Sequence, residues 1–323
     1  MSDHQSIIEV FALGRNEGDR LKRCVRSVPI YVPVAYVCNA STDGSVAFAR
    51  SKHATVVEPV MSRPFSGARA RNEGYHALQS TNLRVGFTQF INRDCELEPK
   101  WLRRAMQSLE TRPTVAAVWG RQRERFPDAS LYNRVYDDEW NTLEGQTDAY
   151  VGDALMRVYA FRQVGGYDPA RIAGEEPELC QPFRSAGWRI LRLNAPTTIH
   201  DAAMHRFSQY WNRAIRSGFG YAQVLYKIRA SAHDLLYQRD VMIALFWTLG
   251  VTLPAIVSAV IFGLMGLFVA LAIWLLQLLR LGLHDGFAKG GHVLVGTIAE
   301  AEGILGFVTA KVRGISQGAI FYK

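Results

Sequence analysis

The sequence predicts an α/β domain followed by an α-helical membrane hairpin, and three observations carry that prediction. Strand-like and helical segments alternate through the first hundred residues, turns rich in Asn, Asp and Glu follow the strands, and residues 241–279 contain no Asp, Glu, Lys, Arg or His. Alternating strands and helices imply a parallel sheet covered on both faces. A charge-free run too long for one crossing of a bilayer core of about 30 Å implies two membrane segments. The 323 residues, 49% of them hydrophobic, suit one domain of roughly 200 to 250 residues plus an appendage.

Residues 6–12 (SIIEVFA) read as a strand, residues 17–28 as an amphipathic helix with Leu21, Cys24, Val25 and Val28 on one face, and residues 35–38 as a second strand. The turn Asn39-Ala40-Ser41-Thr42-Asp43-Gly44 leads into a helix ending at Arg50, followed by a strand at 55–57, a helix at 67–79 and a strand at 85–91. The most informative stretch is 88–102 (TQFINRDCELEPKWL), where an apolar strand stops at Asp94-Cys95-Glu96 and a Pro-Lys-Trp-Leu helix start follows. Alternation puts Asn92, Asp94 and Glu96 on one side of an extended chain, so their oxygens can converge on a hard cation such as Mg²⁺ or Mn²⁺. A solvated acidic turn carries the same groups.

Residues 101–110 read as a helix, 115–120 as a strand, and the chain through 146 as an irregular polar stretch of the kind that carries binding specificity. An apolar segment at 150–158, a turn at 164–168, and an acidic segment at 174–180 running into a helix ending at 186 come next. A short strand at 190–193 precedes His200. Ligands of such sheets lie at the carboxyl ends of the strands, and there stand Asn16-Glu17, residues 41–43 and residues 92–96.

The appendage reads as helices at 241–261 and 263–283, turning near Phe262-Gly263, with Pro254 bending or breaking the first. A buried pair in a soluble core is the alternative, but soluble helices nearly always keep a polar stripe. Residues 204–240, aromatic and basic, read as an amphipathic interfacial helical segment, and 284–323 as a C-terminal amphipathic segment that packs on the first domain or lies along the bilayer. The formal net charge is +8, with Lys227, Arg229 and Arg239 before the apolar run and Arg280, Lys289, Lys311 and Arg313 after it. Both flanks are therefore expected on the cytoplasmic side of the inner (plasma) membrane, with membrane lipid as a partner. No nucleic-acid-binding motif accompanies the charge. The four cysteines are scattered without C-x-x-C spacing, and the polar start MSDHQS shows no cleavable signal, so a reducing compartment is expected.

Six blocks in order are similar to those of the inverting family 2 glycosyltransferases of GT-A fold, the Rossmann-like nucleotide-diphospho-sugar transferases. They are residues 12–18 (ALGRNEG), Ser41-Thr42-Asp43-Gly44, residues 67–74 (GARARNEG), residues 87–102 in the place of the Asp-x-Asp strand, Gly165-Gly166-Tyr167-Asp168, and residues 174–180 with Arg184 and Gly187-Trp188 beyond. The resemblance spans about residues 6–200 and implies a GT-A domain over 1–203. It implies donor contacts from Glu17, Asn39, Asp43, Arg71, Asn92 and Arg93, with Mn²⁺ or Mg²⁺ held by Asp94 and His200. Inverting transfer needs a carboxylate base, and Glu176 falls where the family has its Asp, with Glu175 as substitute. Glu175, Glu176 and Glu178 equally suit an acidic helix start. Arg184 and Trp188 are implied at the acceptor, and Arg71 and Arg184 serve either phosphate and acceptor or a structural ion pair.

Two positions depart from the family pattern. Cys38-Asn39 stands where the family has Asp at the end of its second strand, and Asn92 stands where the first Asp of Asp-x-Asp is expected. Both remove negative charge. The resemblance and the hairpin together imply an enzyme that moves a sugar from a UDP- or GDP-linked donor to a lipid-linked saccharide acceptor in polysaccharide or cell-envelope glycan synthesis. The alternative is a non-catalytic GT-A-like membrane scaffold with a degenerate metal site.

Overall fold

The structure is a computed structural model that describes residues 7–59, 66–79, 85–92, 94–171, 173–228 and 236–314. The chain divides into two compact units, residues 1–129 with 136–203 and residues 130–135 with 204–323.

The first unit holds a nine-stranded sheet among the described residues. Strands β1 (Ile7–Gly14), β2 (Val34–Cys38), β3 (Thr55–Val57) and β4 (Val85–Asn92) are parallel, in the order β3-β2-β1-β4. The sheet continues through β8 (Ala154–Arg157), β6 (Val115–Glu124), β9 (Arg189–His200) and β5 (Cys95–Leu97), and β7 (Gly145–Thr147) pairs with β9. Alternation along β1 sends Val10 and Ala12 to one face and Phe11 and Leu13 to the other. Helices α1 (Asp19–Ser27), α2 (Ser45–Ser51) and α4 (Trp101–Glu110) bury Leu21, Ala49 and Trp101 with the first set. Helices α3 (Gly67–Gln79), α6 (Val158–Gln163) and α7 (Glu175–Ser185) bury Tyr75, Phe161 and Leu179 with Phe11.

The expected parallel sheet holds for β1 to β4, whereas the sheet as a whole is mixed. Strand β8 runs antiparallel to both β4 and β6, and β5 runs antiparallel to β9. Pairing direction depends on partners distant in sequence, and an apolar run such as Ala-Leu-Met does not encode it. Two further differences lie between 115 and 200. Strand β6 runs on to Glu124, and the expected irregular stretch contains a 3₁₀ turn at Pro127–Ala129 and helix α5 (Leu131–Glu139). Strand β9 continues through Pro196 to His200 instead of ending near 193, with its register slipping between Trp119 and Arg121 and again between Arg121 and Gln122 of β6, where Pro196 pairs. Proline is tolerated in a sheet at such irregularities because it has no N–H to donate.

In the second unit, α8 (Phe207–Ile228) packs on α12 (Phe287–Val312) through glycines. A Cβ at Gly218 would lie 2.0 Å from the Glu300 carbonyl oxygen, and one at Gly303 would lie 2.0 Å from that of Ile215. Tyr210 Oη donates to the His292 carbonyl at 2.6 Å. Among the described residues three helices are long and apolar enough to cross a membrane: Gln238–Phe262, Met265–His284 and Phe287–Val312. The first comprises α9 (Gln238–Leu245), a π-helical stretch (Phe246–Thr252) and α10 (Leu253–Phe262), and it turns at Gly263 into α11 (Leu264–Asp285).

Pro254 neither breaks this helix nor ends it. The preceding π stretch and the Thr252 hydroxyl, which donates to the Trp247 carbonyl at 2.7 Å, absorb the interruption. The α10–α11 pair is almost wholly exposed, whereas α12 is covered over much of its length, chiefly by α8.

Candidate active site

Four polar turns meet at the carboxyl edge of β1, β2 and β4. The register aligns Gly14 of β1 with Cys38 of β2 and Leu13 of β1 with Asn92 of β4. Strand order reverses on either side of β1, which makes this edge the topological switch point where ligands of α/β sheets bind.

Side chains tie the first two turns together. Ser41 Oγ accepts the Asn16 N–H at 3.1 Å, Asn16 Oδ1 accepts that of Thr42 at 2.7 Å, and Asp43 Oδ2 accepts that of Gly18 at 2.8 Å. Burial pushes the Asp43 carboxyl up, but the hydrogen bonds from Ser45 and Gly18 outweigh it and hold the group below its ordinary range. An ion-pair chain then runs from Glu17 through Arg20, Asp201, Arg23 and Glu96 to Arg125. It joins the Glu17 turn to the Asp94 turn, because the Asp201 N–H donates to the Asp94 carbonyl at 2.9 Å.

Asp94 and His200 face each other because β5 and β9 pair with Cys95 opposite His200. Asp94 Oδ2 lies 3.5 Å from His200 Nε2, and Glu124 Oε2 lies 3.5 Å from His200 Nδ1. Glu124 is opposite His200 in the β6–β9 register, and the Trp140 ring meets the imidazole edge-on. This donor set suits a divalent cation: a carboxylate and an imidazole within one coordination sphere of each other, with a second carboxylate, Glu124, 3.5 Å from the other ring nitrogen. Cys95 Sγ lies close enough to join them. Its thiol is fully buried, pushed well up by that burial and by Asp153 and Asp94, and accepts an N–H from Gln122 at 3.0 Å.

The third group centres on Arg71. Its Nη1 donates to Glu175 Oε1 at 2.7 Å, and its Nη2 donates to Glu176 Oε1 at 3.0 Å and to Asn92 Oδ1 at 3.1 Å. Burial opposes the charge, yet Glu176 and Glu175 more than offset it, and the guanidinium is held above its ordinary range. Gly67 makes room for this group, since a Cβ there would fall 2.6 Å from Glu175 Oε1. Asn92 is also held from behind: buried Asp153 accepts its N–H at 2.7 Å through Oδ1 and the Thr198 hydroxyl at 2.7 Å through Oδ2.

Residues 15–213 match the family model described as Glycosyl transferase family 2. The chain belongs to glycosyl transferase family 2. It is therefore a glycosyltransferase, and its sheet is of GT-A type. The mannosyltransferase PcManGT from Pyrobaculum calidifontis, solved in complex with GDP-Man and Mn²⁺, is 19% identical, with 94% of this chain and 89% of that one covered at a TM-score of 0.67. S. aureus TarS 1–349 in complex with UDP-GlcNAc is 12% identical, with 95% and 92% covered at 0.51. At these identities the likeness is one of fold. No curated protein sequence matches.

In this family 2 chain the residues expected from sequence fall into three sets. Glu17, Asn39, Asp43, Asn92, Asp94, Glu175, Glu176 and His200 all stand at the carboxyl edge. Arg71 stands there too, with both its terminal nitrogens engaged by carboxylates and an amide, the ion-pair arrangement that was one of its two expected roles. A guanidinium this deeply buried needs paired charge. Glu96, considered as a third metal ligand, is instead bound by Arg23 and Arg125.

Arg184 and Trp188 are not brought to this edge group. Arg184 lies eight residues beyond Glu176, about 12 Å along α7, and donates to the Asp148 carbonyl, while Trp188 donates to Gln163 Oε1 at 2.8 Å. Arg93 lies outside the described residues.

The departures from the family pattern have a physical account. Cys38 is buried in the core and accepts the Ser41 N–H, and Asn39 is the polar group at the strand end. A carboxylate at position 92 would put three acids around the single Arg71 guanidinium, and the amide avoids that crowding. Sequence reasoning missed Glu124, Asp153 and Asp201. An acid within Val-Gly-Asp-Ala-Leu-Met was a signal for Asp153, whereas Glu124 fell beyond the expected end of its strand.

Proposed function

We propose that the chain is a membrane-associated inverting glycosyltransferase that takes a sugar from a nucleoside-diphosphate donor and places it on a lipid-linked saccharide acceptor. The observation that carries this reading is the convergence of Asp94–His200 and Arg71–Glu176 on the carboxyl end of β4, joined through Asn92 and its near neighbour Asp94.

Asn39 supports a nucleotide at the β2 end, because its Oδ1 is buried and has no hydrogen-bond partner among the described residues, leaving an acceptor for a donor group such as a base N–H. Asp94 and His200 would hold the divalent ion, with Glu124 orienting the imidazole. That ion supplies charge neutralisation to the departing diphosphate. Glu176 is the base: it is the more exposed of the two glutamates, with 17% of its side chain accessible against 6% for Glu175. Arg71 fixes the Glu176 carboxylate in position, and Glu175 is the buried counter-ion that completes the pair. Glu176 accepts the proton of the acceptor hydroxyl as that oxygen attacks the anomeric carbon opposite the leaving group, which inverts the configuration.

The apolar helices and the cations Lys227, Arg239, Arg280, Lys289, Lys311 and Arg313 support a place at the plasma membrane with the catalytic unit on the cytoplasmic side. Glu176→Gln tests the reading. Sugar transfer should fall by a factor of about 10² to 10⁴, while Mn²⁺-dependent donor binding stays within a few-fold of the parent. Undiminished transfer by Glu176→Gln, with loss in Glu175→Gln, would move the base by one residue. Absence of donor binding with any UDP- or GDP-sugar would favour the scaffold.

A further inference from the structure

The second unit carries a groove of about 530 Å³ lined by Gln238, Arg239, Met242, Ile243 and Phe246. Residues 239, 242, 243 and 246 fall at helical spacing, so one face of the first apolar helix presents a cation in its first turn and a single apolar row below it. Arg239 makes no ion pair among the described residues, and its chain neighbour Asp240 lies about 100° around the helix and outside the groove lining. The positive end of the helix adds to the charge, and no side chain caps it. Met242 and Phe246 are 61% and 58% exposed, an arrangement that favours an apolar occupant over water. The π-helical stretch begins at Phe246, and such stretches recur at functional sites.

We propose that this groove binds a lipid phosphate bearing one long apolar chain, with the phosphate on Arg239 and the first part of the chain along Met242, Ile243 and Phe246. The proposal rests on the lipid-linked acceptor reading and identifies the recognised part of that acceptor as its carrier phosphate. A cation in the first turn of a spanning helix sits at headgroup depth, and residues one and two turns further sit at the depth of the chains. One row of apolar side chains matches one chain, and the single cation matches one phosphate.

The test uses the full chain in neutral detergent, with binding of polyprenyl phosphate, polyprenol, phosphatidylglycerol and inorganic phosphate followed by native mass spectrometry. Polyprenyl phosphate is expected to bind at a stoichiometry of one, and polyprenol and inorganic phosphate about tenfold more weakly or worse. Arg239→Gln should weaken polyprenyl phosphate binding about tenfold, the loss of one charge-assisted contact, Phe246→Ala should also weaken it, and Arg239→Lys should retain most of it. Donor hydrolysis should be unchanged in all three, which shows that the catalytic unit is folded. Equal binding by Arg239→Gln and the parent, or equal binding of phosphatidylglycerol and polyprenyl phosphate, would overturn the proposal. Transfer to a lipid-linked acceptor that survives Arg239→Gln unaltered overturns the groove and leaves the proposed function standing. Arg239-dependent binding by a chain that transfers no sugar does the reverse.

Discussion

Replacing Arg71 by Met should destabilise the first unit by about 4 kcal/mol, the middle of the roughly 3–5 kcal/mol range for removing one member of a buried pair. The figure follows from the contacts. Arg71 donates to Glu175, Glu176 and Asn92, and only 6% of the Arg71 and Glu175 side chains is exposed, so water cannot replace the lost donors at Glu175. Met fills most of the volume, so the cost is electrostatic rather than a cavity. Two carboxylates previously bridged by one cation would face each other, and protonation of one would relieve the repulsion. The loss should therefore be larger at pH 8 than at pH 5.

For a unit of this size about 4 kcal/mol corresponds to a fall in melting temperature of roughly 10 °C. That is measurable by intrinsic fluorescence of the full chain in detergent. The double substitution Arg71→Met with Glu175→Gln should recover more than half of the loss. A fall of under about 2 °C for Arg71→Met, or a double substitution no more stable than the single one, would refute the assignment of Arg71 as the buried counter-ion of the glutamates.

Further outcomes follow from other parts of the structure. Glu124→Gln should weaken Mn²⁺-dependent donor binding about 10- to 100-fold, because the negative charge beside His200 Nδ1 is lost; calorimetric titration checks this. Glu9 on β1 is buried beside Gln79 and Thr88, and burial raises its carboxyl from 4.5 to about 7. Its protonated form is the one the fold favours, so this contribution is complete below about pH 4.5 and is lost as pH rises through 7, a difference of roughly 3 kcal/mol. Glu9→Gln should accordingly raise the melting temperature at pH 8 and have little effect at pH 4.5. Gly303→Leu should separate α12 from α8, since even a Cβ meets the Ile215 carbonyl at 2.0 Å. The expected signs are poor recovery of the chain in detergent and faster proteolysis of residues 204–314, whereas Gly306→Leu, where a Cβ meets nothing within 4 Å, should behave as the parent.

Local chemistry was legible and non-local pairing was not. The bounds of α3, β3 and α4 could be read from the sequence because glycine, proline and apolar spacing punctuate them. The direction of β8 and the reach of β9 to His200 depend on neighbours far away in sequence, and β9 accommodates Pro196 only where its register with β6 slips. The same division runs through the site. Asp94, Glu176 and Asp43 stand in recognisable blocks and could be named. Glu124 could not, because its role comes from lying opposite His200 across two strands that the sequence made too short. Arg71 could be placed but not assigned, since nothing local announces that both glutamates of α7 reach back to it.

The central claim is that the edge formed by the ends of β1, β2, β4 and β9 is a single donor site. It is tested most directly by a structure of the full chain with a nucleoside diphosphate and Mn²⁺, the ion located by its anomalous signal. The account predicts Mn²⁺ ligated by Asp94 and His200, with the base beside Asn39 and the diphosphate between them. A metal bound away from both residues, or a nucleotide seated elsewhere on the chain, would contradict it.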